Sequence, residues 1–151
     1  MSSLFAFLHH VAAFTLVAAL TVEFVLLKDE LTVKSATKLR LADLAFGASA
    51  GVVLIVGLLR VFYFEKGATY YFHSAPFLAK LSLFVVIGLL SIYPTLEFLS
   101  WKAALRQGLV PPIASAKLRA IRAIIHWELA GIVLLLLCAA LMARGIGVAG
   151  A

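Results

Sequence analysis

Four long apolar segments dominate the sequence, at about 4–27, 40–64, 77–101 and 117–142. Each has roughly the 20 residues that an α-helix needs to cross about 30 Å of hydrocarbon. The composition agrees, since 64% of the chain is hydrophobic and only 13% is charged, against roughly 25% charge in an average soluble domain. So few polar residues cannot cover a soluble surface, which excludes an ordinary soluble enzyme. The segments predict four transmembrane helices.

The connections between the segments are short, about a dozen residues each, and short connections join antiparallel neighbours. We therefore expect an all-α membrane protein, an antiparallel up-down bundle of four transmembrane helices forming a single membrane domain over 1–151. Nine of the 13 Lys and Arg residues lie in 28–40 and 102–122. Because basic loops stay in the cytoplasm, both termini are expected on the periplasmic side of a bacterial inner membrane.

The formal net charge of +6 would suggest nucleic acid as the partner of a soluble protein. In a membrane chain it instead marks the cytoplasmic ends of the spans and their contact with anionic lipids. No nucleic-acid partner is expected. The single cysteine, Cys138, excludes a disulfide, a paired-cysteine zinc site and an iron–sulfur cluster within one chain.

Polar side chains within the apolar segments form two groups. Each costs a few kcal/mol in hydrocarbon, so those present are expected to face the bundle interior and to have a partner or a task. Near the outer face the sequence places His9, His10, Arg60, His73 and Lys80, and near the inner face it places Glu23, Asp43, Glu97, His126 and Glu128.

The outer group combines imidazoles and cations with almost no acid besides Glu65. A haem b would complete such a site, because a histidine can ligate the iron and the two propionates can pair with Arg60 and Lys80. The second axial ligand would be Lys80 or His73, and Lys80 is alternatively a propionate partner.

Helical geometry limits the choice of histidine. At 100° per residue His9 lies within about 40° of Glu23, whereas His10 points about 100° away, so only one of them readily faces a single iron. His9 faces the interior if Glu23 does. His10 is favoured if the haem sits off the bundle axis.

The acids of the inner group have cations nearby in the sequence, and two interpretations of them are possible. Its acids can form interhelical ion pairs with nearby cations such as Arg40 and Arg122, which would fix the rotation of the helices. Alternatively, Glu23, Asp43, Glu97 and Glu128 relay protons or cations in a small transporter or channel subunit. His126 and Glu128 form part of a second site, or His126 is a structural histidine paired with an inner acid.

Small residues recur in the second segment, where Gly47 and Gly51 are four apart and Gly57 follows. Such spacing lets either a neighbouring backbone or a flat macrocycle approach closely. Both interpretations, helix packing and a haem cavity, remain open from the sequence.

Three landmarks carry a resemblance to known families: Leu8-His9-His10, the stretch from Phe46-Gly47 to Gly57-Leu58-Leu59-Arg60, and Ala79-Lys80-Leu81 followed by Gly88-Leu89-Leu90-Ser91. Over nearly its whole length the chain resembles a bacterial family of four-span membrane proteins catalogued as a domain of unknown function. More distantly it resembles the HemJ-type protoporphyrinogen oxidases. That resemblance implies haem b, porphyrinogen oxidation, an essential histidine at His9 and an essential lysine at Lys80.

The leading hypothesis is therefore a haem-b membrane protein that exchanges electrons with a quinone or a porphyrinogen, a candidate haem-dependent oxidoreductase. Its iron ligand is His9 or His10. The alternative is the proton- or cation-conducting subunit. A bundle of four helices is narrow, so we expect a homo-oligomer, with a dimer favoured.

Overall fold

The computed structural model describes residues 2–64 and 71–144. Its helices are α1 (Ser2–Leu26), α2 (Val33–Leu59), α3 (Ala75–Ser100), the short α4 (Lys102–Arg106) and α5 (Ser115–Ala143). Among the described residues, four helical stretches are long and apolar enough to cross a membrane: Ser3–Leu26, Val33–Tyr63, Ala75–Arg106 and Ser115–Ala143. The predicted fold class, a bundle of four transmembrane helices, is confirmed.

The start of α2 differs from the boundary that hydropathy suggests. The helix begins at Val33, seven residues before the apolar segment, because a capping box fixes its first turn. The Ser35 backbone N–H donates to the Thr32 hydroxyl over 3.1 Å, and the Thr32 backbone N–H donates to the Ser35 hydroxyl over 2.8 Å. These two bonds satisfy donors that a helix start otherwise leaves unpaired. At its other end α2 continues into a π-helical turn, Arg60–Phe64.

The four long helices associate as two pairs. The most extensive contacts join α1 to α2 and α3 to α5, while the contacts between the pairs, α1 with α5 and α2 with α3, are much fewer. The bundle is therefore two helical hairpins laid against each other.

The hydrophobic core lies toward one end of this bundle. We call the end with the start of α1 and the end of α5 the upper end, and the end with connections 27–32 and 107–114 the lower end. Most core residues belong to the lower half, and Leu39, Phe98, Ile121 and Ile125 are completely buried there. Packing is thus dense below, and toward the upper end the two pairs enclose a cavity.

Candidate functional site

A cavity of about 780 Å³ lies between the two helix pairs, and all four long helices contribute to its wall. Its volume is within the roughly 300–1,000 Å³ that is usual for small-molecule and cofactor sites. A smaller pocket of about 150 Å³ shares part of this wall. The residues common to both are His9, Val53, Arg60, Tyr71, Lys80, Phe84 and Met142.

His9 is half-buried and is held against α2. A methyl group added at Gly57 would lie 3.2 Å from its Cε1 atom and 3.6 Å from its Nδ1 atom, so the ring occupies the space that this glycine leaves. The Nδ1 atom is buried and has no hydrogen-bond partner. The ring also interacts with the Val53 backbone carbonyl. The imidazole is therefore anchored on one side and borders the cavity on the other.

His10 has a different environment. Its side chain is exposed, and its Nδ1 atom lies 2.6 Å from the Ala6 carbonyl oxygen one turn earlier in α1, so this nitrogen carries the proton. The two imidazoles are perpendicular, with ring centroids 6.1 Å apart. Both border the large cavity, but only His9 also borders the smaller pocket.

Arg60 and Lys80 reach the same cavity from the two different pairs. Lys80 is half-buried and interacts electrostatically with Arg60. None of the described residues that form the wall is an aspartate or a glutamate, and Glu65 lies outside the described residues. The wall is accordingly basic.

His73, the other predicted member of the outer group, lies in the turn before α3 and is exposed. It is not among the described residues that line either cavity.

Met142 in α5 is in both linings, and sequence reasoning did not connect it with His9. Its thioether is a known axial ligand of haem iron, but a methionine in an apolar helix gives no signal in the sequence.

Some of the glycines line the cavity, whereas another serves the packing of helices, the two interpretations that the sequence left open. Gly47 in α2 and Gly88 in α3 line the cavity, and a methyl group added at either would meet nothing within 4 Å. Gly57 instead accommodates the His9 ring. Small residues on the two pairs thus leave room between them for a broad ligand.

Below the cavity, the structure brings together three acids from three helices. Glu23 of α1, Asp43 of α2 and Glu128 of α5 have 2%, 7% and 1% of their surface exposed and are close enough to interact electrostatically. We call these three residues the carboxyl cluster. The Thr95 hydroxyl of α3 donates to Asp43 Oδ1 over 2.6 Å. The Oε1 atoms of Glu23 and Glu128 are buried without a hydrogen-bond partner.

Glu97, the fourth predicted acid, is engaged elsewhere. Its Oε2 atom pairs with the Lys117 Nζ atom at 2.7 Å, and its Oε1 atom accepts from the Trp101 indole N–H over 3.2 Å. Lys117 was not among the cations that sequence reasoning placed near the acids, because a partner 20 residues away depends on how α3 and α5 pack. The expected interhelical ion pair forms here.

His126 and Glu128 do not share one site. The His126 side chain is exposed and its ring lies 6.1 Å from that of Phe24, whereas Glu128 is buried in the carboxyl cluster.

Within 2–64 and 71–144, no group of three or more His, Cys, Asp and Glu side chains could hold a metal ion. Haem needs no such group, because the porphyrin nitrogens supply most of the iron ligands.

Comparison with known proteins gives a family without an assigned activity. No curated protein and no solved structure matches the chain. A family model described as "Predicted membrane protein (DUF2214)" matches residues 1–147, almost the entire length. The chain therefore belongs to the DUF2214 family of predicted membrane proteins.

Proposed function

We propose that this protein binds haem b in the cavity between its two helix pairs, with His9 as an axial ligand of the iron. The observation that carries the proposal is the meeting of His9 from one pair and Lys80 from the other in one cavity whose described wall holds no acid. A histidine ligand and cations for two carboxylates are the groups that a haem requires.

Three further features support the fit. The cavity has the volume of a cofactor site, and Gly47 and Gly88 contribute no side chain to its wall, where a methyl group would meet nothing within 4 Å. Histidines that bind metals usually donate their other ring N–H to a backbone carbonyl or a carboxylate. The Val53 carbonyl interacts with the His9 ring and can take this part.

Two residues are candidates for the second axial position. Lys80 and Met142 both line the cavity with His9, and a methionine ligand would raise the reduction potential. Lys80 is otherwise available to a propionate, beside Arg60. This proposal gives His73 neither role, because it is not among the described residues that line the cavity.

Bound haem would supply one-electron transfer, and the protein would set its potential through ligands and burial. A cavity between transmembrane helices suits a lipid-soluble partner, either a quinone or a porphyrinogen. We further propose a bacterial inner membrane with periplasmic termini, from the distribution of basic residues, and a homodimer.

The test is the absorption spectrum of protein purified in mild detergent and titrated with haem b. The wild type is expected to give a Soret band, which His9→Ala abolishes and the control His126→Ala leaves intact. His10→Ala is expected to retain the band, because His10 is exposed and does not border the smaller pocket that His9 shares with Lys80. No Soret band in the wild type after titration, or an unchanged band in His9→Ala, would contradict the proposal.

The second ligand is tested on the same preparation. If methionine ligates the iron, Met142→Leu lowers the midpoint potential and Lys80→Gln only weakens haem binding. If instead Lys80→Gln changes the midpoint potential and Met142→Leu only weakens haem binding, Lys80 is the second ligand. Reduction of the bound haem by a quinol or by a porphyrinogen, each added alone, then identifies the electron donor.

The carboxyl cluster favours the second candidate function, a proton- or cation-conducting subunit. Buried acids inside a membrane commonly mark ion pathways. This candidate predicts flux into proteoliposomes that Glu23→Gln abolishes and Glu97→Gln preserves, since Glu97 is paired with Lys117. Equal flux in both variants would reject it.

A further inference from the structure

The carboxyl cluster is a second polar site, separate from the proposed haem ligands. Its three members come from α1, α2 and α5, and α3 contributes Thr95. All four long helices therefore meet around it, at the point where the dense core begins below the cavity.

No cation neutralises these acids in the described part of the chain. The nearest basic residues along the helices are Arg40 in α2 and Arg122 in α5, and neither lies within 4.0 Å of a cluster carboxyl group; each has a buried Nε atom without a partner. His126 is turned toward Phe24. Isolated carboxylates in a medium of low dielectric constant are very costly, and such groups become neutral instead.

The oxygen atoms of the cluster show where a proton is needed. Asp43 Oδ1 already accepts a hydrogen bond from Thr95. Glu23 Oε1 and Glu128 Oε1 are enclosed acceptors with no donor, and a buried acceptor without a donor costs about 1–3 kcal/mol. A protonated carboxylic acid can donate as well as accept, so a proton on one glutamate introduces a donor into the cluster.

Thr95 connects this cluster with the cavity. The residue lines the cavity wall, and its hydroxyl bonds Asp43 on the neighbouring pair over 2.6 Å. A hydroxyl group both donates and accepts, so it can pass a proton between a group in the cavity and the carboxyl cluster.

We propose that Glu23, Asp43 and Glu128 form a proton-binding site that holds at least one proton on its glutamates near neutral pH and exchanges it with the cavity through Thr95. The site requires neither bound haem nor transmembrane flux. Its ligand is the proton itself, delivered from the solvent or from an O–H or N–H group of whatever molecule enters the cavity.

The occupancy is tested by infrared spectroscopy of the purified protein without haem, near neutral pH. The wild type is expected to show the carbonyl band of protonated carboxylic acids, which shifts in D₂O and disappears in the Glu23→Gln, Glu128→Gln double variant. The matched control Glu97→Gln should retain the whole band, because its carboxylate is paired with Lys117. Glutamine mimics a protonated glutamate in shape and charge, so the double variant is expected to fold.

Absence of the band from the wild type, or its persistence in the double variant, overturns the proposal. If the double variant fails to fold, the single variants Glu23→Gln and Glu128→Gln give the same decision, since replacing either interacting carboxyl group must change the intensity or the frequency of the band.

The connection is tested by the rate at which the band shifts after transfer into D₂O. Thr95→Val should slow this exchange several-fold, because the side chain that joins cavity and cluster loses its hydroxyl. The control Thr15→Val changes an exposed threonine bonded only to the Val11 carbonyl and should leave the rate unchanged. Equal rates in both variants refute exchange through Thr95. Because neither experiment contains haem, its outcome is independent of the proposed cofactor.

Discussion

Replacing Gly57 by alanine tests the packing of His9 against α2. The added methyl group would lie 3.2 Å from His9 Cε1, about 0.3 Å inside the roughly 3.5 Å at which carbon atoms pack favourably. The imidazole must therefore move by a few tenths of an ångström. Overpacking of this kind costs about 1–3 kcal/mol, and alanine returns about 1 kcal/mol of helix propensity.

We therefore expect Gly57→Ala to lower the free energy of unfolding by about 0–2 kcal/mol. The matched control is Gly51→Ala, six residues earlier in α2, where the new methyl group meets nothing within 4 Å and only the propensity gain of up to about 1 kcal/mol applies. Stability is measured by unfolding in mixed detergent micelles, and haem affinity by titration of the same samples.

The displaced ring should also weaken haem binding in Gly57→Ala but not in Gly51→Ala. If the two variants have equal stability and equal affinity, the His9 ring does not lie against Gly57, and the arrangement of α1 on α2 described above is incorrect.

Three further substitutions probe the fold by the same unfolding measurement. Thr32→Ala removes the capping box with Ser35 and should cost about 1 kcal/mol; no loss would mean that the first turn of α2 is held otherwise. Phe98→Ala empties a fully buried core position and should cost about 3 kcal/mol, near the lower end of the soluble range because unfolded helices stay in lipid. Lys117→Ala breaks the pair with Glu97 and should lower stability only slightly, less so at high salt, because the amine is exposed.

The four spans could be predicted because each is a nearly uninterrupted apolar run, and membrane insertion depends on little else. The start of α2 could not be predicted in this way. Its first turns are polar, so a hydropathy pattern does not detect them. The helix there depends on the hydrogen bonds between Thr32 and Ser35. Capping chemistry, not hydrophobicity, sets that boundary.

The site was only partly accessible to sequence reasoning. Helical angles separate His9 from His10, but which of them meets Lys80 depends on how the helices pair, and the pairing follows from contacts such as that of Gly57 with His9. The sequence did not indicate that Met142 and Thr95 line the cavity, because a thioether or a hydroxyl is common within an apolar helix. Their importance arises only when α3 and α5 place them beside residues of the other pair.

The most direct measurement is the haem affinity of two leucine variants of α2, Gly47→Leu and Gly51→Leu. Gly47 lines the cavity, Gly51 is not among its described lining residues, and neither position would bring a new Cβ atom into contact. Leucine at 47 is expected to fill the cavity and abolish haem binding, while leucine at 51 leaves the affinity of the wild type. Wild-type affinity in both variants would show that haem, if bound, lies outside the space between the helix pairs.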